Sequence, residues 1–200
     1  TEIYTLSLHD ALPISLGEGP ASRQTIVHSR SFGTPVQDCD RLHEAVAAFM
    51  TATAEKLRRE RSVARIVHVF ITTSPFQQEQ AQYANSAVRA LPVHTADTPV
   101  LLRAALDGLA EIFRPGYRYK KAGVMLSEIT PDSPIQTDLF IAKDIKRERL
   151  MKTVDVINRE WGRDALFYAA SGIQQGWRTR QEHLSRRYTT RWDELPIVHA

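Results

Sequence analysis

Apolar positions recur at helical spacing in three stretches of the chain and in β-branched runs between them. The first helical stripe runs Leu42, Ala45, Val46, Phe49, Met50, Thr53 and Leu57. Asp40 is placed as its N-cap, and Arg58 to Arg61 suit the negative end of its dipole. Thr98-Pro99 opens the second, a cap followed by proline at the first helical position. Leu101, Ala105, Leu109, Ile112 and Phe113 form its stripe, and Pro115-Gly116 ends it. The third helix spans Asp144 to Trp161, with Leu150, Met151, Val154, Ile157 and Trp161 on one side.

The intervening runs read as strands. Residues 25–32 end at Gly33, with Pro35 closing them, and residues 65–73 (RIVHVFITT) stop at Pro75. A short strand is placed near 89–93, and a fourth at 117–129, where Lys120-Lys121 interrupts the alternation. Residues 76–88 are polar and read as a loop. The order β-α-β-β-α-β predicts an α+β fold over residues 26–130, a four-stranded sheet with two helices on one face. Its other face is left open. Residues 16–25, with Gly17, Gly19 and Pro20, form a linker, and residues 131–142 a Pro-containing tether. Residues 143–200 are a small helical or mixed C-terminal module with short aromatic segments at 165–170 and 188–192.

The start of the chain follows no such logic. Residues 1–14 (TEIYTLSLHDALPI) back-translate codon by codon into a string that looks like a short-read sequencing adapter, whose last base would begin the Ser15 codon. Residues 1–15 are therefore read as an adapter-derived artefact and kept out of fold reasoning. The segment holds Glu2 and Asp10 and no Lys or Arg, so setting it aside raises the formal charge from +3 to +5. That balance, with a pI near 9.1, leans toward an acidic partner such as nucleic acid. Hydrophobic residues make up 42% and charged residues 24%, as in an ordinary folded domain. No apolar run approaches the roughly 20 residues needed to span a bilayer. Cys39 is the only cysteine, which excludes an internal disulfide and a multi-cysteine metal site, and fits a reducing cytoplasm.

Three segments and the tail carry a resemblance. His28-Ser29-Arg30-Ser31-Phe32-Gly33 resembles the opening strand of the little-finger domain of Y-family DNA polymerases. Thr72-Thr73-Ser74-Pro75-Phe76 resembles the end of its second strand in UmuC-type enzymes, and Tyr117-Arg118-Tyr119-Lys120-Lys121-Ala122-Gly123-Val124 its last strand. Tyr188-Thr189-Thr190-Arg191-Trp192 is similar to the terminal segment of the UmuC branch. The resemblance covers residues 26 to 196. It implies phosphate-contacting positions at Ser29, Arg30, Ser31, Gly33, Thr72, Thr73, Ser74, Arg118, Lys120 and Lys121, with Arg89 as a further candidate. Backbone N–H groups, hydroxyls and cations hold phosphates without reading sequence. The alternative for each cation is a solvated surface charge, and for each hydroxyl ordinary strand or turn capping.

Gln136-Thr137-Asp138-Leu139-Phe140 resembles the bacterial sliding-clamp binding pentapeptide. In that reading Leu139 and Phe140 enter an apolar pocket, while Gln136 fixes register and Asp138 fills the acidic position. The alternative is a hydrophobic pair stapling the third helix. The family's palm holds Mg²⁺ through carboxylates that include a serine-x-Asp-Glu element, and nothing here matches it. Asp193-Glu194 reads as a turn or helix pair, and the histidines show no paired ligand spacing. No catalytic or metal residue is assigned, and Mg²⁺ is expected only for a catalytic domain that this chain lacks.

The resemblance thus implies the DNA-holding, clamp-tethering part of an error-prone translesion polymerase of the bacterial cytoplasm. Primer–template DNA and the β sliding clamp are the implied partners, with a UmuD-type accessory protein and a recombinase filament beside them. The alternative is a non-catalytic DNA- and clamp-binding adaptor related to such polymerases. An RNA-binding module is disfavoured, because the strands lack the aromatic signatures that stack bases.

Overall fold

The computed structural model describes residues 24–77, 79–132, 144–162, 164–173, 175–177, 185, 189 and 192–195. The adapter-like start, most of the linker and the tether with Gln136, Asp138, Leu139 and Phe140 lie outside them.

Helix α1, Cys39–Arg59, buries every position of its expected stripe. Thr53 reconciles its hydroxyl with burial by donating to the Phe49 carbonyl at 2.7 Å. Its cap is Asp38, whose carboxylate accepts from the Asp40 amide at 3.2 Å. Asp40, expected in that role, instead lies in the first turn, where an acid is favourable to the dipole. Helix α2, Thr98–Ile112, is likewise capped one residue earlier than expected, by Asp97 accepting from the Val100 amide at 3.1 Å. Thr98 is buried and its hydroxyl is taken by Arg58.

The strands are β1 (Ile26–Val36), β2 (Ser62–Thr73), β3 (Ala84–Thr95) and β4 (Tyr119–Pro131), in the order β1-β4-β2-β3 with every pairing antiparallel. Strands β1 and β2, joined by α1, do not pair with each other because β4 lies between them. In the same way β2 lies between β3 and β4. Two split β-α-β units therefore interlock, which puts the most apolar strands in the centre and the polar ones at the edges. Strand β3 begins at Ala84, inside the expected loop. Ala, Asn and Ser are poor strand formers, but Asn85, Ser86 and Ala87 pair with Ile71, Phe70 and Val69 and the ladder overrides propensity.

Each edge strand bulges before its helix. On β1 the register jumps from Ser31↔Lys121 to Val36↔Tyr119, and on β3 from Ile66↔Ala90 to Ala64↔Thr95. Pro35 and Pro92 fall in these bulges, at edges where a missing N–H leaves no gap in a ladder. Cations satisfy the displaced carbonyls. Lys120 Nζ donates to Phe32 and Gly33, and Arg65 Nε donates to Leu91.

The core lies between one sheet face and α1 with α2. Val67, Val69, Ile71, Ala122, Val124 and Leu126 point into it from the central strands. Helix α3, Ile145–Glu160, is capped by Asp144, which accepts from the Lys146 and Arg147 amides. It docks on the far side of the helical layer. Arg58 Nε and Nη2 donate to the Asp155 carboxylate at 2.7 and 2.6 Å, and Nη1 to Ala96 O at 2.9 Å and Thr98 Oγ1 at 2.6 Å. Of the expected α3 stripe only Met151 is buried, while Leu150 is 55% and Trp161 80% exposed. The Arg58 contact turns the Met151–Asp155 side inward in place of the Leu150–Trp161 side.

Beyond α3 the chain returns over α1. Trp177 is buried edge-on against Phe49 and Phe32, with ring centroids 5.3 and 6.3 Å away. It is a core residue. Gly172, at φ +70°, makes the close approach possible, since a Cβ there would stand 2.5 Å from Glu44 Cδ. Burying an aromatic of that size is worth about 4–6 kcal/mol at about 25 cal/mol per Å². Trp177 thus anchors the returning segment on α1, and Arg58 ties α3 to α1 and the β3–α2 turn.

Because Arg58 joins α1, the β3–α2 turn and α3 at one point, Arg58→Ala should destabilise the chain by about 3 kcal/mol, and Asp155→Ala by less. Chemical denaturation of both variants measures this. Equal losses would mean that the Ala96 and Thr98 bonds contribute nothing.

Candidate nucleic-acid interface

Strand alternation sends Ile66, His68, Phe70 and Thr72 of β2 to the face opposite the core. Their ladder partners fill the same face in rows. One row reads Ser31–Lys121–Thr72–Ala84, the next Ser29–Gly123–Phe70–Ser86, and the third Val27–Met125–His68–Val88. Among the described residues, α1 and α2 pack on the other side of the sheet. This face is a patchwork of hydroxyls and apolar groups, with Val27 and Val88 more than half exposed. His68 Nε2 and Ser127 Oγ are 2.8 Å apart on it. Its charge is concentrated at one end.

That end is a built corner. Thr73 pairs with Tyr119, and its amide donates to Tyr83 O at 2.9 Å, so β2, β3 and β4 meet there. Tyr83, Phe113, Tyr117 and Tyr119 form an aromatic cluster with centroids 4.8 to 6.4 Å apart. Tyr119 Oη donates to Arg114 O at 2.8 Å and accepts from Arg114 N at 3.0 Å, while Tyr83 Oη donates to Ile112 O. Burial pushes the Tyr119 hydroxyl above its ordinary pKa, only partly offset by the Arg114 backbone bond, so it stays a neutral donor. The turn carrying Arg114 and Arg118 is thereby pinned against the start of β4.

The expected contact residues divide into four groups. Ser29, Ser31, Thr72 and Lys121 share the open face, with Lys121 between Ser31 and Thr72. Ser74, in the turn after β2, and exposed Arg118 flank the corner, and Gly33 lies on the β1 bulge beside it. Lys120 and Thr73 are occupied structurally. Lys120 serves the bulge carbonyls, and buried Thr73 donates to Gln82 Oε1 and accepts from the Tyr83 amide. Arg30 and Arg89 are not brought to this face at all. Arg89 pairs with Glu111 of α2 at 2.5 Å on the helical side. Arg30 alternates away from Ser29 and Ser31 into a groove of about 800 Å³ with His28, Phe49, Glu55 and Phe167. Phe70, which reaches across to β4, was missed, although it shares the parity of Thr72 in the RIVHVFITT run.

This arrangement offers hydrogen-bond donors and a few cations along a ridge of strand ends. Among the described residues no three His, Cys, Asp or Glu side chains cluster to hold a metal.

A family profile described as the impB/mucB/samB family C-terminal domain matches residues 23–139. The chain belongs to the impB/mucB/samB family. It corresponds to the C-terminal region of the ImpB, MucB, SamB and UmuC proteins. Protein ImpB of Salmonella typhimurium is 42% identical over 187 residues, and Protein UmuC of Salmonella typhimurium is 38% identical over 184. Those matches cover 92% and 91% of this chain but 44% of each relative, so the chain spans under half their length. A second profile, described only as a domain of unknown function, matches residues 148–198, the region of α3 and the segment over α1. A solved complex of the beta-clamp processivity factor with the little finger domain of PolIV matches 58% of this chain and 99% of that one. Its identity is 13% and its TM-score 0.38, a likeness too slight to build on. No helix among the described residues is long and apolar enough to cross a membrane.

Proposed function

We propose that this chain is the DNA-holding and clamp-tethering portion of an error-prone translesion polymerase. The observation that carries the reading is the Ser31–Lys121–Thr72 row on a sheet face left bare by both core helices, beside a corner pinned by Tyr119. Hydroxyls, strand-end amides and cations at that ridge suit the sugar–phosphate edge of a primer–template duplex, whatever its sequence. Nucleotide insertion opposite damaged bases, with Mg²⁺, would be the work of a palm domain outside these residues. The pentapeptide from Gln136 to Phe140 would tether the enzyme to the β sliding clamp just after the last strand. A UmuD-type accessory protein and a recombinase filament would act on the parent polymerase.

Binding of the full chain to a primer–template duplex should be indifferent to sequence and fall steeply with salt. Lys121→Ala should lower the salt slope by about one and weaken binding to every sequence alike. Arg89→Ala should change affinity by less than about two-fold, because its charge is paired on the far side of the sheet. An affinity that barely responds to salt, or a larger loss from Arg89→Ala than from Lys121→Ala, would sink the assignment of this face.

Replacing Leu139 and Phe140 together with Ala should abolish capture by immobilised β clamp and leave duplex binding intact. Capture that survives the double substitution would remove the pentapeptide from the proposal.

A further inference from the structure

Gly123 faces the open side of the sheet and is nevertheless buried. The Phe70 side chain reaches over it from β2. A Cβ added at Gly123 would stand 2.4 Å from Phe70 Cζ, 2.8 Å from Phe70 Cε1 and 2.5 Å from Ser29 Cβ. Gly123 is not among the residues with positive φ, so the backbone makes no demand for glycine there. The constraint is one of space. In the adjoining row, Lys121 brings its ammonium to 5.9 Å from the Phe70 ring centroid, within the range where a cation is attracted to an aromatic face.

These contacts bear on how a lysine can hold a phosphate. A lysine on a solvated surface samples many rotamers, and a ligand that selects one must overcome that entropy. A side chain already ordered in the binding geometry spares the ligand this cost. Lys121 lies between the hydroxyl residues Ser31 and Thr72, its cross-strand neighbours on the open face.

We infer that Phe70 is a positioning residue for Lys121. The ring crosses β4 because position 123 has no side chain, and it holds the Lys121 ammonium over the open face, ordered in advance for a backbone phosphate of duplex DNA. This deepens the DNA-holding reading of the same face and rests on it. Phe70 does not read bases in this account, so its effect on binding passes through Lys121 alone.

The test is a double-mutant cycle on the full chain, read by the anisotropy of a fluorescein-labelled primer–template duplex over a salt series. Phe70→Leu keeps apolar bulk without a ring, and Phe70→Tyr keeps the ring. With Lys121 present, Phe70→Leu should weaken binding about two- to five-fold, and Phe70→Tyr should bind like the parent chain. In the Lys121→Ala background, Phe70→Leu should cost nothing further. An equal loss in both backgrounds would overturn the inference, because the ring would then act without the lysine. No loss in the Lys121 background would overturn it as well. Parent binding that ignores salt would take down the DNA-holding reading itself, whereas the Phe70→Leu outcomes bear on the positioning role alone. A thermal melt of each variant guards against misfolding. A loss of affinity matched by an equal fall in melting temperature in both backgrounds counts against the role.

Discussion

The antiparallel pairing of β2 with β4 decides what every other element can do. The two strands run in register from Ser62↔Pro131 to Thr73↔Tyr119, with one irregularity at the end beside the aromatic corner. Each belongs to a different half of the chain, so this pairing locks the two split β-α-β units into one sheet. It also fixes parity. A slip of one residue would send Val67, Val69 and Ile71 to solvent and His68, Phe70 and Thr72 into the core. The packing of α1 and α2 on the apolar parity strongly opposes that slip. The same choice puts the other parity on the side of the sheet away from α1 and α2, and the proposed contact row is part of it.

Charge at the open face then follows from what strand ends require. Two adjacent lysines lie at the irregular start of β4, between the core residues Tyr119 and Ala122, and each has a separate role. Lys120 satisfies carbonyls of the β1 bulge, while Lys121 remains on the open side against Phe70. The bulge itself arises because β1 must leave the ladder before Asp38 caps α1. The C-terminal module is coupled to the same framework from behind. Trp177 packs on Phe32, which lies in that bulge, and on Phe49 of α1, and Arg58 carries α3. Module and strand-end ridge thus share one layer of residues, although they lie on different sides of it.

The element order, the stripes of α1 and α2 and the open face were legible because periodicity reports burial directly, whereas the expected α3 stripe stays largely outside the core. Leu42 to Leu57 on α1 is the clearest case. The caps were misplaced by one or two residues, since Asp38 against Asp40 and Asp97 against Thr98 are settled by backbone angles that composition does not encode. The first half of β3 was unreadable, because Ala84 to Val88 form a strand only where β2 offers a partner. At the candidate site, similarity to a family pointed to strand ends but could not separate Lys121 from Lys120. Nor could it separate Ser29 from Arg30, because that needs the parity of a bulged strand. The side of the sheet that Arg89 takes was hidden for the same reason, its strand having been placed without its register. Docking of the tail through Trp177 and Arg58 joins residues about a hundred positions apart, and no local pattern announces it.

The central claim is that the bare face and its pinned corner receive the duplex. Amide hydrogen exchange of the full chain, with and without a saturating primer–template duplex, tests it most directly. The account predicts added protection at 29–33, 72–74 and 118–123, with exchange over α1 and α2 unchanged. Protection confined to the helical layer or to α3, with those three segments unaffected, would contradict it.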